Sequence, residues 1–157
     1  LKRYGIKDLS VKWPNDIMSA NYKLAGILIE NSFKSDGSIT TIIGLGLNVN
    51  QTNFEGLHKA SSMSVVSDSY FEKDELLVAI IDELENIIKL IGVFPQTLWD
   101  QYLELLFKKD FPMPFMVNEG KPFMGIIKGV SKLGKLIVLN EDDTLKEYAV
   151  KEIQMLY

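Results

Sequence analysis

Three short segments in the first third of the chain combine apolar strand character with polar groups that packing alone does not call for: Lys12-Trp13-Pro14-Asn15-Asp16, Lys23-Leu24-Ala25-Gly26-Ile27-Leu28-Ile29-Glu30 and Gly44-Leu45-Gly46-Leu47-Asn48-Val49. Together they describe a floor for a small ligand, a lysine beside it and an Asn-Asp pair at its rim. That set suits a phosphorylated or activated carboxyl compound.

In an extended segment successive side chains alternate between faces. Over 39–50, Ile39, Thr41, Ile43, Leu45, Leu47 and Val49 share one face and are expected to form a core. Thr40, Ile42, Gly44, Gly46, Asn48 and Asn50 share the other. Glycine inside a strand weakens it, so it marks close approach by a ligand or by another part of the protein. A helix packed tightly over Gly44 and Gly46 would use them equally well. The run is not a dinucleotide fingerprint, because its third glycine is absent and no helix follows.

The second segment is apolar on both faces over 25–29, which predicts a central, doubly covered strand. Lys23 sits at its mouth, where a lysine can simply snorkel to water. Its place on the hairpin partner of the glycine strand favours a role in a site. In the first segment, Trp13 is a wall or core residue and Pro14 ends a strand. Asn15 and Asp16 then project from a rigid end. They read as ordinary turn chemistry, or as a phosphate or magnesium contact with Asp16 holding Lys23 or the metal. Glu30 is a possible buried acid, and His58, the single histidine, reads as a surface residue.

These residues need elements to position them. A strand is expected over 9–13, a turn over 18–21, and a hairpin of 22–34 with 39–50 closed by Ser35-Asp36-Gly37-Ser38. Residues 51–71 read as a loop with one short helical turn. Leu76, Leu77, Ile80, Ile81, Leu84, Ile87, Ile88 and Ile91 form one helical stripe that stops at Gly92. Pro95 opens a second helix bearing Leu98, Trp99, Tyr102, Leu103, Leu105 and Leu106. Both stripes read as core packing. Five short strands follow near 114–118, 121–131, 135–140, 144–149 and 152–156, punctuated by Asn118-Glu119-Gly120-Lys121, Leu133-Gly134 and 140–143, and predict a small barrel. The fold class is therefore α+β. A mixed or antiparallel sheet is backed by the two helices, and a small β-barrel comes after it, giving domains over 1–109 and 111–157.

Composition bounds the function. The chain has 157 residues, 46% hydrophobic and 24% charged, with a net charge of −4. That is ordinary for a globular domain, and it argues against a dedicated nucleic-acid surface. There is no cysteine, hence no disulfide and no thiolate metal site. No apolar run reaches the length of a membrane span and no signal-peptide pattern opens the chain, so a cytoplasmic address is expected. Leu1-Lys2-Arg3-Tyr4-Gly5 reads as the end of a helix with a glycine stop, which makes the chain look like the middle of a domain.

In this order and spacing, the three segments resemble the catalytic domain of biotin protein ligases, and the helices and small C-terminal barrel, Src-homology-3-like in that family, resemble it too. The resemblance implies ATP-dependent activation of biotin to biotinyl-5′-AMP with Mg2+, then transfer to a lysine of a biotin carboxyl carrier domain. It implies Lys23 as the catalytic lysine between carboxylate and α-phosphate. Asn15 and Asp16 fall at the phosphate and metal end, Gly26, Gly44 and Gly46 at backbone approached by biotin or the adenylate, Asn48 at an amide near the nucleotide, and Trp13 at a wall. The family's glycine- and arginine-rich loop and its DNA-binding helix-turn-helix match nothing here. The chain therefore reads as the C-terminal part of such an enzyme, able to form a homodimer and inactive in biotin transfer by itself. Two alternatives remain: a lipoate-type ligase or transferase, and a non-catalytic interaction or dimerisation module.

Overall fold

The computed structural model describes residues 1–118 and 120–157, so Glu119 of the Asn118–Lys121 turn lies outside the described residues. Among the described residues the chain is α+β, with two antiparallel sheets and three α-helices. It divides into two compact units, one of residues 1–11 and 15–95, the other of 12–14 and 96–157.

The first unit opens with a 3-10 turn, Lys2–Tyr4, stopped by Gly5 at φ 76, where the Gly5 N–H donates to the Lys2 carbonyl. Then come β1 (Leu9–Lys12, whose last residue belongs to the second unit), β2 (Asp16–Ser19), β3 (Tyr22–Phe33) and β4 (Ile39–Leu47), in the order β1-β2-β3-β4. The expected turn at 18–21 is half strand: β2 runs to Ser19, and Ala20 and Asn21 turn. Four residues were too few for a period to register. Asp36 closes the β3–β4 hairpin by accepting from the Ser38 N–H at 2.8 Å.

Helix α1 (Met63–Ser67) is the short helix of the 51–71 loop, and the Ser62 hydroxyl caps it by accepting from the Val65 N–H. Helix α2 (Lys73–Ile91) begins with Asp74 and Glu75 in its first turn and Lys89 in its last, complementing the helix dipole. Its Leu76, with Ile80 beside it, packs into a core of Ile6, Leu24, Met63 and Phe71. Burying a side chain such as Leu24 contributes about 1.5–3 kcal/mol.

That core covers only one end of the sheet. Leu28 and Ile29 of β3 are 59% and 56% exposed, and Ile43 and Leu45 of β4 are 41% and 42% exposed. The expectation that β3 is covered on both faces, and that the odd-numbered face of β4 is a core, is thus met only near Leu24, Ala25 and Leu47. β3 is interior to the sheet, and the core that Leu76 of α2 shares with Leu24 takes in Leu47 of β4 but none of these four residues. Glu30 is exposed rather than buried, and His58 is exposed as expected.

In the second unit β5 (Pro112–Val117), β6 (Phe123–Val130), β7 (Leu136–Leu139), β8 (Leu145–Tyr148) and β9 (Ile153–Met155) pair in the order β8-β7-β6-β5-β9. Their core is Phe115, Ile127, Val130, Leu136, Val138, Tyr148 and Ile153. Gly125 is required at its centre, since a Cβ there would lie 2.7 Å from Val138 Cγ1 and 3.1 Å from Phe115 Cδ2. Helix α3 (Pro95–Glu104) sets Trp99, Tyr102 and Leu103 against this second core.

Candidate functional site

The register of the first sheet builds the glycine floor. Asp16 lies opposite Gly26, and Gly26 opposite Gly46, so Asp16, Gly26 and Gly46 form one row across β2, β3 and β4. Leu28 opposite Gly44 is the next row on the same face. A Cβ on Gly46 would meet only the Gly26 carbonyl oxygen, at 3.9 Å, and one on Gly44 only Leu28, at 3.7 Å and beyond. These are ordinary contacts with the neighbouring strand. Among the described residues, no helix packs down on these glycines, so tight helix packing does not account for them.

Lys23 joins this row by an irregularity. Strict alternation would put it on the face of Ala25 and Ile27. The β2–β3 register shifts between Ile17 and Met18, so that Ile17 faces Ala25 while Met18 faces Lys23. A bulge of this kind re-aims a side chain. The Lys23 ammonium lies 2.5 Å from Asp16 Oδ1, with the two side chains 45% and 16% exposed. A Cβ on Gly26 would be 3.6 Å from Lys23 Nζ and 3.8 Å from Asp16 Oδ1. An ion pair this open contributes about 0–1 kcal/mol to stability. Its value lies in fixing an ammonium group over a bare stretch of sheet.

Asn15 is exposed and turns its amide to the sheet: Nδ2 donates to the Ile27 carbonyl at 3.0 Å, and the Ile27 N–H donates to the Asn15 carbonyl at 2.9 Å. Of the two roles open to Asp16, holding Lys23 is the one this geometry supports. A magnesium ion needs few protein ligands when it arrives on phosphates. Asp16 and the Asn15 carboxamide fit such a partial donor set, and among the described residues no group of three His, Cys, Asp or Glu side chains makes a fuller one.

Asn48 borders the same end of β3. Its N–H donates to the Leu24 carbonyl at 2.8 Å and its Nδ2 to the Ser61 carbonyl at 3.0 Å. Asn50 clasps the backbone of Phe71 from both sides, with its Nδ2 donating to the carbonyl at 2.8 Å and its Oδ1 accepting from the N–H at 3.1 Å. The 59–61 segment, to which the loop reading of 51–71 gave no role, lies beside Lys23 as a parallel bridge at Ala60. Such a contact is made by backbone alone and leaves no residue pattern.

Trp13 follows a different unit, where its indole N–H donates to the Gly134 carbonyl at 2.9 Å, and the Trp13–Pro14 peptide is cis. A cleft of about 120 Å³ there is lined by Trp13, Pro14, Leu106, Phe107 and Ile153, with Lys12 and Lys151 at its edge. It is small for a nucleotide-sized ligand.

Residues 2–50, which hold all three segments, match the model of the biotin/lipoate A/B protein ligase family. The chain is 29% identical over 168 aligned residues to the bifunctional ligase/repressor BirA of Escherichia coli (strain K12), covering 99% of this chain and 49% of that protein. It therefore spans about half the length of the curated relatives it matches over nearly its whole length. Among solved structures, a mutant biotin protein ligase from Aquifex aeolicus in complex with biotin superimposes with a TM-score of 0.76 at 22% identity, covering 99% of this chain and 64% of that one. The Aquifex aeolicus enzyme in complex with biotin and ATP gives 0.73 at 22% identity, covering 94% and 62%. These likenesses establish a shared fold.

Proposed function

We propose that this chain is a member of the biotin protein ligase family and supplies the lysine-bearing half of a site that activates biotin with ATP and passes it to a carrier lysine. The observation that carries this reading is the ammonium of Lys23, held by Asp16 over Gly26 in the row that continues to Gly46.

The chemistry follows from charge. Biotin's carboxylate must approach the α-phosphate, and both are anions. A fixed ammonium between them offsets their repulsion and the charge developing on the phosphoryl group. Position contributes as much, since a carboxylate lying along the glycine row meets the phosphate in one orientation. The carboxylate oxygen forms a bond to the α-phosphorus, the bond to the β-phosphate oxygen breaks, and pyrophosphate leaves. The amine of a carrier-domain lysine then attacks the acyl carbon of biotinyl-5′-AMP, AMP departs, and the amine's proton passes to solvent.

Gly26, Gly44 and Gly46 let biotin and the adenylate lie against backbone. Asn15 and Asp16 stand at the phosphate end, and Asn48 near the nucleotide. Trp13 is a wall residue of the second unit. Asn15 and Asp16 would be the protein neighbours of a magnesium ion carried on the phosphates, which would supply further charge neutralisation. The proposed division is a catalytic part over 1–109 and a small Src-homology-3-like β domain over 111–157. No helix among the described residues is long and apolar enough to cross a membrane.

Pyrophosphate release tests the reading, using a catalytic domain that contains these residues, biotin and magnesium-ATP, followed by detection of biotin on a carrier domain. Activation of lipoate in preference to biotin would make the protein a lipoate-type ligase. No activation of either acid would leave an interaction module.

A further inference from the structure

The second unit leaves an edge of its sheet open beside a cleft. Among the described residues β9 is the last strand of that sheet and pairs with β5 alone. The Asn118 N–H donates to the Glu152 carbonyl at 3.3 Å, the Leu156 N–H donates to the Pro114 carbonyl at 2.8 Å, and Gln154 lies opposite Met116 between them. In an antiparallel pair the main-chain groups of successive residues point to opposite sides. Those of Glu152, Gln154 and Leu156 therefore serve β5, and those of Ile153 and Met155 point off the edge. Side chains alternate through the sheet instead. Ile153 and Met155 face the core, and both line the cleft of about 120 Å³ together with the buried Ile127 and Leu136. A cavity of roughly 150 Å³ holds benzene, so this cleft has the size of one leucine or methionine side chain. Gln154, on the opposite face, also borders a wider polar hollow lined by Asn118, Lys151 and Glu152.

Charge at this edge has one sign. Among the described residues no carboxylate lines the cleft, and the charged residues at its rim are Lys12 and Lys151. Lys151 stands where cleft and hollow meet, at φ 69, a left-handed conformation unfavourable for a residue with a side chain. Glu152, the acid beside it, accepts from the Ala149 N–H at 2.8 Å.

We propose that the open edge of β9 takes an extended, acidic segment of a partner protein as an added strand. The main chains of Ile153 and Met155 pair with that segment. One apolar side chain, opposite Ile153 or Met155, enters the cleft, because residues paired across strands share a face. Its neighbours in sequence lie on the Gln154 face, where a carboxylate meets Lys151. Main-chain bonds supply the affinity of such a site, and the cleft and the lysine supply its selectivity. All of these groups belong to the second unit, so the site is independent of the adenylation chemistry.

The test is a titration of the whole isotope-labelled chain with an acetylated five-residue peptide that has leucine at its centre, glutamate on either side and threonine at both ends. The Ile153 and Met155 amides and the Trp13 indole resonance should shift together and saturate. Serine in place of the central leucine should weaken binding about tenfold or more. Lys151→Glu should weaken it about fivefold, and a peptide with lysines in place of the glutamates should bind more weakly still. Met155→Pro removes an outward N–H that β5 does not use, a place where edge strands tolerate proline. Met155→Ala trims the same side chain and keeps the N–H. Both variants should retain the β5–β6 ladder, and the proline variant should bind about fivefold more weakly than the alanine variant. Equal affinity in the two overturns the added strand. So does a lack of saturable shifts, a response at β8 or on β3 and β4 in place of β9, or equal binding of the lysine peptide.

Discussion

Asn15 and Ile27 exchange two hydrogen bonds, one through the Asn15 side chain and one through its main chain. The β2–β3 ladder is thereby carried one step past Asp16 and Gly26, and Asp16 is fixed at the mouth of the sheet. Asn15→Asp keeps the shape, removes the donor and sets a carboxylate against a carbonyl oxygen. It should lower stability by on the order of 1 kcal/mol in urea denaturation. It should also broaden the Asp16 and Gly26 resonances, and an unaltered spectrum at Asp16 would show that Asn15 does not hold it.

Lys23→Ala separates chemistry from stability. The ion pair with Asp16 is too exposed to matter much to folding, so the melting temperature should move by no more than a few degrees. Pyrophosphate release by a catalytic domain bearing the change should fall on the order of a hundredfold or more. An unchanged rate would return Lys23 to the class of snorkelling lysines.

The glycine row gives a test of opposite character. The space above Gly46 is bounded only by the Gly26 carbonyl, so Gly46→Val should fold with little change in melting temperature. Calorimetric titration with biotin should show affinity lost. Normal binding with a sharp fall in stability would mean that packing fills this space.

Acid should loosen the second unit at one identifiable point. Asp110 pairs with Lys128 and lies near Lys109. The Lys128 hydrogen bond, with the charges of Lys128 and Lys109 adding to it, holds the Asp110 carboxyl below the usual range. Because the folded value is depressed, its stabilising contribution is fully present above the unfolded carboxylate value, about 3.9. It is lost as pH falls through the folded value. Asp110→Asn should therefore weaken the unit slightly at neutral pH and match wild type once the Asp110 carboxyl is protonated in the folded and unfolded states alike. Denaturation curves at the two pH values check this, and an equal deficit at both would remove Asp110 from the account.

The uncovered faces of β3 and β4 make association the expected behaviour of the isolated chain. β4 is the last strand of its sheet and carries exposed Ile39, Ile42, Ile43 and Leu45. An edge of this kind is a template for pairing. Sedimentation should show mass rising with concentration, and Ile43→Lys should reduce it. A monomer at all concentrations would contradict this.

Much of this was legible because it is periodic or local. The hairpin over Ser35–Ser38, the stripe of α2, the start of α3 at Pro95 and the short strands of the second sheet all announce themselves by spacing or by turn residues. Alternation also put Gly44 and Gly46 on one face. What was not legible depends on partners. Ile43 and Leu45 have the pattern of a core, but burial also requires something to cover them. Lys23 reaches Gly26 through a register shift that alternation does not foresee. The 59–61 segment meets Lys23 through backbone groups that every residue possesses.

Trp13 and Gly134 have a consequence for how the chain can be taken apart. The second unit includes three residues, Lys12–Pro14, that are made long before its remainder at 96–157. Severing the chain after Pro95 strands the indole on one fragment and the carbonyl it serves on the other. On the ribosome, the Trp13 indole waits for 121 more residues before the Gly134 carbonyl exists. A gene fragment encoding only residues 96–157 would carry that carbonyl without the indole that donates to it.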